Sequence, residues 1–376
     1  MTRALRVVHL TTTAVRIGGA ERLLIDIARR VPRGQWDLSF IILDSNGEVG
    51  RQLEACGWPT QYIPMRTWAQ VPGGLVRLRR SLRDLRPDIL HTHLFHASAI
   101  GAMIAPVSSA SLVHTRHYSD YMKRFGSAPR RLIDRWVASR CDAIAAVSDA
   151  ARDFLVDEES IPAKRVVVIE NGVDVEGLGA VSRDAGRRAL AEIGLGTGPI
   201  IACSASFRAQ KGHLVLFEAM RTLVARWPTL RLLLLGTGPD EGTLRAKAQS
   251  LGVGNHVFFA GYRSDALTLV CGADLYVQPS LEEGFGLALV EAMAMGLPVV
   301  ASNVGGMSKT VVDRKSGLLV PAGDASALAS AVHQLLQEQD LALALGAAAQ
   351  TRARADYSVA RMIADYDRLY RQVCKV

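Results

Sequence analysis

The densest chemistry in the chain lies between Pro279 and Glu291, where Glu283-Gly284-Phe285-Gly286-Leu287 runs from an apolar stretch into a helical pattern. A glycine turn that opens a helix presents backbone N–H groups, and such a turn binds phosphate. Glu283 stands before the glycines and Glu291 stands inside the helix. A carboxylate accepts charge-assisted hydrogen bonds from paired sugar hydroxyls. Phosphate in the middle with a polyol on each side is the pattern of a sugar nucleotide. Lys211, beside Gly212 at the start of another helical pattern, is a sensible phosphate lysine. Arg208 supplies a second cation three residues earlier.

Histidines offer a rival chemistry. His91 and His93 lie at strand spacing, so both side chains point the same way, and His96 follows closely. The three suggest a metal site, but no carboxylate or cysteine sits at ligand spacing, and packing or acceptor contacts are the preferred expectation. Cys56, Cys141, Cys203, Cys271 and Cys374 are scattered, odd in number and never in C-x-x-C. They fit neither a zinc site nor a disulfide framework, and imply a reducing cytosol.

The elements that must carry these residues alternate. Short β-branched runs at 5–10, 38–43, 88–90, 112–115, 143–147 and 166–169 are separated by longer helical patterns, such as 20–30 after Gly18-Gly19. That is parallel β-α-β winding. The pattern loosens near 172–198 and restarts at 200–205, with further strands at 230–235, 256–259, 274–278, 298–301 and 317–320. The expectation is two Rossmann-like domains, 1–176 and 177–356, with a helix at about 357–376 packing back toward the first. Ligands of such sheets sit at the carboxyl ends of the strands, and two such edges facing each other would form a cleft.

At 376 residues, 49% apolar and 21% charged, the composition is that of a globular chain. No apolar run reaches the roughly 20 residues of a membrane span, and no signal-peptide pattern opens the sequence, so a cytoplasmic protein is expected. The formal charge of +8 favours anionic partners. Arginines cluster at 75–86 and again at 123–140, the second with Tyr118, Tyr121, Phe125 and Trp136 nearby. Both could meet the anionic inner face of a membrane, or could be solvated helix faces. No nucleic-acid recognition module is present, and aromatics are only 6%.

The two glutamates with seven residues between them, G-F-G-L included, resemble the donor signature of glycosyltransferase family 4, a group with the GT-B fold. The resemblance covers nearly the whole chain, through Gly18-Gly19-Ala20-Glu21, Thr115-Arg116-His117, Val147-Ser148 and Asn171-Gly172-Val173-Asp174. It implies a retaining, metal-independent hexosyltransferase that uses a nucleotide sugar as co-substrate and no other cofactor. By that resemblance Glu283 contacts the transferred sugar, Glu291 the ribose, and Gly284, Phe285, Gly286 and Leu287 the sugar and diphosphate. Gly18 and Gly19 approach the phosphates, His117 lies beside the sugar, and Tyr262 lies near the base. The acceptor would be a saccharide or lipid-linked glycan of cell-surface synthesis. Catalysis would rest on Glu283, Lys211, Arg208 and His117.

Two positions depart from the family. Ser206 stands where relatives usually carry an arginine, so Arg208 would have to replace it, and Lys309 stands where an acid is usual. These departures leave open a sugar-nucleotide-binding relative without turnover. A sugar-nucleotide epimerase of the same fold is a second alternative. A dinucleotide oxidoreductase would need the complete G-x-G-x-x-G, of which Gly236-Thr237-Gly238 is only half. A retaining glycosidase would need two carboxylates about 5 Å apart flanking one carbon, which glutamates on opposite sides of a phosphate turn do not provide.

Overall fold

The computed structural model describes residues 3–12, 18–117, 128–196 and 198–375, so Tyr118, Tyr121, Lys123, Arg124 and Phe125 lie outside the described residues. The chain forms two compact units, Met1–Gly172 with Val359–Val376, and Val173–Ser358. Each is built on one parallel sheet with helices on both faces.

The first sheet has the strands β1 (Leu5–Thr11), β2 (Trp36–Ile42), β3 (Thr60–Tyr62), β4 (Ile89–His93), β5 (Ser111–Arg116), β6 (Ala143–Ala146) and β7 (Val166–Val168), in the order β3-β2-β1-β4-β5-β6-β7. Strands covered on both faces read as near-continuous apolar runs, as β1 does. Alternate side chains go to opposite faces. Val7, Ile89 and Val113 join Leu23, Leu24, Trp36, Met362, Tyr366 and Tyr370 in one core, under the helices Gly19–Arg30 and Val359–Cys374. Val8, Leu10, Leu90 and Leu112 join Leu78, Leu82, Ile100 and Val137 in the other, under the helices Val71–Leu85, Phe95–Ile104 and Ala128–Arg140.

The second sheet has β8 (Ile200–Ser204), β9 (Arg231–Leu235), β10 (Val257–Gly261), β11 (Leu275–Gln278), β12 (Val299–Ser302) and β13 (Leu318–Val320), in the order β10-β9-β8-β11-β12-β13. Ile201, Cys203, Leu232, Leu234, Leu275, Val277 and Val300 pack there against the helices His213–Arg226 and Ala325–Gln337. In both sheets the winding reverses at one place, between β1 and β4 and between β8 and β11. Such switch points open a crevice at the carboxyl ends, where nucleotides bind in folds of this class. All five cysteines are free. Among the described residues no helix is long and apolar enough to cross a membrane.

Candidate functional site

At the switch point of the second unit, the loops that leave β8 and β11 are tied together through their backbones. The N–H groups of Leu281 and Glu282 donate to the Gln210 carbonyl at 2.8 and 3.3 Å. Gly212 makes this approach feasible: it has φ +69°, and a Cβ there would sit 1.9 Å from the Pro279 carbonyl oxygen. The loop after β12 closes the third side, where a Cβ on Gly305 would lie 1.7 Å from the Glu283 carbonyl oxygen. These two glycines are backbone requirements of the site, because only a residue without a side chain lets the loops touch.

The stitching brings Lys211 and Glu283 into contact. Lys211 Nζ donates to Glu283 Oε2 at 2.7 Å, with both side chains largely buried. The same oxygen accepts from Ser280 Oγ at 3.2 Å, and Gln278 Nε2 donates to Ser280 Oγ at 3.0 Å. Behind them the Tyr276 hydroxyl donates to Gln278 Oε1 at 2.6 Å. Tyr276 is fully buried, and burial pushes its phenol well above the ordinary range, so it remains a donor. This chain of buried donors fixes the Glu283 carboxylate from within. One face of the cation and the other carboxylate oxygen are left for a ligand.

Gly286, at φ +93°, ends the turn and caps the helix Leu287–Ala294. The helix therefore begins beside the Lys211–Glu283 pair, and its first N–H groups and dipole favour an anion there. Gly284 and Phe285 are buried, Phe285 edge-on to Tyr357, while Leu287 and Glu291 are half-buried. Arg208 and Ser206 are exposed on the loop after β8, and Arg208 makes no ion pair with a described residue. Tyr262 is 43% exposed after β10, a strand separated from β11 by two others. Lys309 is exposed on the short helix Met307–Thr310. The structure thus brings Lys211, Glu283 and the Gly286 turn together, and leaves Arg208 and Tyr262 on the rim.

In the first unit the expected residues lie at the carboxyl edge around β1, β4 and β5. Gly18 and Gly19 open the helix Gly19–Arg30 and are exposed. The Gly18 N–H donates to the buried Glu21 carboxylate at 3.1 Å, so one of the four orphan donors of that helix end is already taken. His117 follows directly after β5, whose end is clamped by Arg116. That guanidinium is fully buried, bidentate to Glu159 at 2.9 and 3.0 Å, and paired with Asp134 at 2.8 Å.

His91 and His93 do face the same way, as strand spacing requires, but their companion is His9 of β1 and not His96, which is exposed. Register explains this: His9 lies opposite His91 across the β1–β4 pair. His91 is held by Tyr370 Oη at 2.5 Å and Thr115 Oγ1 at 2.7 Å, and Thr115 bonds Tyr366 Oη at 2.9 Å. The ring nitrogens of His9, His91 and His93 lie within 4.8 Å of one another, the one group among the described residues with the reach to hold a metal ion. Neutral imidazoles are metal ligands, and burial pushes all three rings to stay neutral. Against a metal, both nitrogens of His91 and of His93 already have partners.

Residues 17–176 match the family described as Glycosyltransferase Family 4, and residues 190–352 match Glycosyl transferases group 1. The phosphatidyl-myo-inositol mannosyltransferase of Mycobacterium leprae is 33% identical over 287 residues, covering 75% of this chain and 73% of that protein. The chain belongs to glycosyltransferase family 4. The D-inositol 3-phosphate glycosyltransferase of Corynebacterium glutamicum is 28% identical over 319 residues, or 80% of this chain and 76% of that one. Among solved structures, Anabaena Alr3699/HepE in complex with UDP-glucose superposes with a TM-score of 0.86 at 22% identity, covering 99% and 98% of the two chains. Sucrose-phosphate synthase from Thermosynechococcus elongatus gives 0.81 at 23% identity, covering 98% and 99%. The two units are therefore the Rossmann-like domains of a GT-B fold. The family 4 protein is a retaining transferase that takes a sugar from a nucleoside diphosphate donor.

Proposed function

We propose that this family 4 protein transfers a hexose from a UDP-sugar to a saccharide or lipid-linked acceptor, with the donor diphosphate held at the switch point of the second unit. The observation that carries this reading is the Lys211–Glu283 pair at 2.7 Å beside the N-terminus of the helix Leu287–Ala294. Departure of the nucleotide places charge on the β-phosphate. Lys211 and the helix N–H groups stabilise that charge as it grows, which is where preorganised dipoles contribute most. Glu283, braced by Ser280, accepts hydrogen bonds from the sugar hydroxyls and does not act as a covalent nucleophile. Glu291 holds the ribose, and Arg208 adds a cation that Ser206 does not supply. Gly18, Gly19 and His117 are the first unit's proposed contacts to the diphosphate and the sugar. The choice of UDP is supported by the neighbours of like fold solved with UDP or UDP-glucose.

The neutralising groups on this site are cationic side chains and a helix end, so we propose that no divalent ion is needed. Turnover lost to chelator and restored by manganese would refute that. A panel of UDP-glucose, UDP-N-acetylglucosamine, GDP-mannose and ADP-glucose tests the donor through melting temperature, since a ligand of the native state raises it. A UDP-sugar is expected to give the largest shift. A larger shift with GDP-mannose overturns the base, and no shift with any donor overturns the reading. A melting shift with no release of free nucleotide in the presence of acceptor would instead favour a sugar-nucleotide-binding relative without turnover.

The structure also separates the two basic segments. In the helix Val71–Leu85 Leu78 and Leu82 are spent on the core, and the outer face carries Arg77, Arg79, Arg80 and Arg83 with Val76 as its one exposed large apolar residue and no exposed aromatic. The helix Ala128–Arg140 exposes Leu132 at 66%, Ile133 at 42% and Trp136 at 38%, alongside Arg131, Arg135 and Arg140. Exposed apolar and aromatic residues among cations suit an anionic bilayer surface. We therefore propose this helix as a peripheral contact with the inner membrane face, consistent with a cytoplasmic enzyme acting on a lipid-linked acceptor.

A further inference from the structure

Three imidazoles of the first unit stand in a row. His9 Nδ1 lies 2.9 Å from His93 Nε2, and His93 Nδ1 lies 3.3 Å from His117 Nε2. His9 and His93 are fully buried and His117 is half-buried. Burial pushes the His9 ring down to about 3, the His93 ring well below its ordinary range, and the His117 ring to about 4. All three are therefore neutral at pH 7, and a neutral imidazole carries one N–H donor and one acceptor nitrogen. A row of such rings can hydrogen-bond only if all its protons point one way along it.

The inner end decides which way. His9 Nε2 is buried and has no hydrogen-bond partner. Were the protons directed inward, that atom would be a buried N–H without an acceptor, a rare and costly arrangement. Directed outward, it is an unused lone pair beside Phe40, whose ring stacks on His9 at 5.4 Å. The outward arrangement has His9 Nδ1–H donating to His93, and His93 Nδ1–H donating to His117 Nε2. The acceptor nitrogen of His117 is then occupied from within, and its remaining nitrogen, Nδ1, carries the proton.

We propose that His93, backed by His9, is a positioning residue that fixes His117 as an Nδ1–H donor, specific for a lone-pair oxygen of the sugar or its phosphate. This rests on the reading that puts His117 beside the donor. The row accounts for two buried histidines, His9 and His93, that the donor chemistry does not otherwise use, and for the orphaned atom at its inner end. A metal ion bound by His9, His91 and His93 would have three neutral ligands and would displace hydrogen bonds that occupy both nitrogens of His91 and His93.

The test uses the full chain labelled with 15N-histidine, with two-bond 1H–15N correlations at pH 7 reading each ring's tautomer. Alongside it, kcat and KM are measured with the nucleotide sugar of the above panel that raises the melting temperature most. The proteins are wild type, His93→Asn, His93→Leu and His117→Ala. Asparagine places an amide N–H near the position of the histidine Nδ1, so it keeps the donor to His117, whereas leucine removes it. His117 is expected as the Nδ1–H form in wild type and His93→Asn, with kcat near wild type in both. In His93→Leu the tautomer should change and kcat should fall by about 10–100-fold, the scale seen when the hydrogen-bond partner that orients a metal-bound histidine is lost, with KM little altered. An Nε2–H form of His117 in wild type overturns the row's direction. Wild-type kcat in His93→Leu, when His117→Ala is impaired, overturns the positioning role. Wild-type kinetics in His117→Ala overturn the placement of His117 at the donor and this inference with it, whereas the tautomer spectrum still reports the row. Stoichiometric zinc in the purified protein, lost in His9→Phe, would replace the row by a metal site.

Discussion

Lowering the pH from 7.5 to 5.5 should destabilise the first unit far more than a protein with exposed histidines. His9 and His114 are fully buried and held to about 3, and His91 and His93 are held well below the ordinary 6.5, in each case chiefly by burial. The folded rings stay neutral while the unfolded rings take up protons as the pH falls through 6.5. The unfolded state then binds more protons, so stability drops with pH. Between pH 6.5 and 5.5 each ring contributes about 1 kcal/mol of loss, and the four together about 4 kcal/mol. That is a large share of the roughly 5–15 kcal/mol by which domains are stable. Glu21 and Glu159, raised by burial, act in the opposite sense, but only as the pH approaches their own range. Asp88 and Asp367 are lowered, and their loss falls below about pH 4. Urea unfolding followed by tryptophan emission is a suitable assay, because four of the five tryptophans, Trp36, Trp58, Trp68 and Trp136, belong to the first unit. With a slope of about 1–3 kcal/mol per molar, the midpoint should move by about 1–4 M between pH 6.5 and 5.5. A midpoint unchanged over that interval would refute the argument.

Other substitutions read single features. Lys211→Ala should lower kcat by about 10²–10³, Glu283→Ala should lower it less, and Glu291→Ala should chiefly raise KM; nucleotide affinity abolished by Glu283→Ala and untouched by Glu291→Ala, measured by calorimetry with UDP, would reverse the proposed donor orientation. Gly212→Ala should destabilise the second unit by about 1–3 kcal/mol in urea unfolding, because the new Cβ meets the Pro279 carbonyl, and a neutral result would show that the two loops can part. Tyr370→Phe should cost about 1–3 kcal/mol by leaving the buried His91 Nδ1 without its hydrogen-bond partner, read from the same tryptophan transition. Leu132→Ser with Trp136→Ser should abolish cosedimentation with anionic liposomes, and equal binding to neutral and anionic vesicles would argue against the helix Ala128–Arg140 as the contact.

The winding was legible because strands buried on both faces are mostly apolar, which makes segments such as Leu232–Leu235 and Val299–Ala301 stand out between helical patterns. The restart at Ile200 was visible for the same reason. Thr60–Tyr62 was not: it is three residues long, polar and at the edge of the sheet, so it carries no burial signal. The glycine turn before Leu287 announced a helix N-terminus through backbone chemistry that only glycine permits. The contact of Lys211 with Glu283 was invisible, since it depends on the adjacency of β8 and β11, strands separated by two others in the chain. His9 was missed for a like reason: it joins His91 only through the β1–β4 register, and a lone histidine in an apolar run has no local signature. The arginine run at 75–86 could not be divided into core and surface from composition, because which of its apolar residues are buried depends on the sheet: Leu78 and Leu82 are covered, whereas Val76 is exposed among the arginines.

The helix Val359–Cys374 belongs to the first unit, yet the ribosome makes it after every residue of the second. At roughly 5–20 residues per second, the segment 173–358 occupies roughly 10–40 s of synthesis. Throughout that interval Trp36, Ile89 and Val113 lack the cover that Met362, Tyr366 and Tyr370 later give them, and His91 lacks its tyrosine partner. The first unit therefore waits with an open apolar face while the second is being made. A chaperone that binds such a face would be expected to engage the nascent chain at the first unit, and to be released when Tyr366 and Tyr370 arrive.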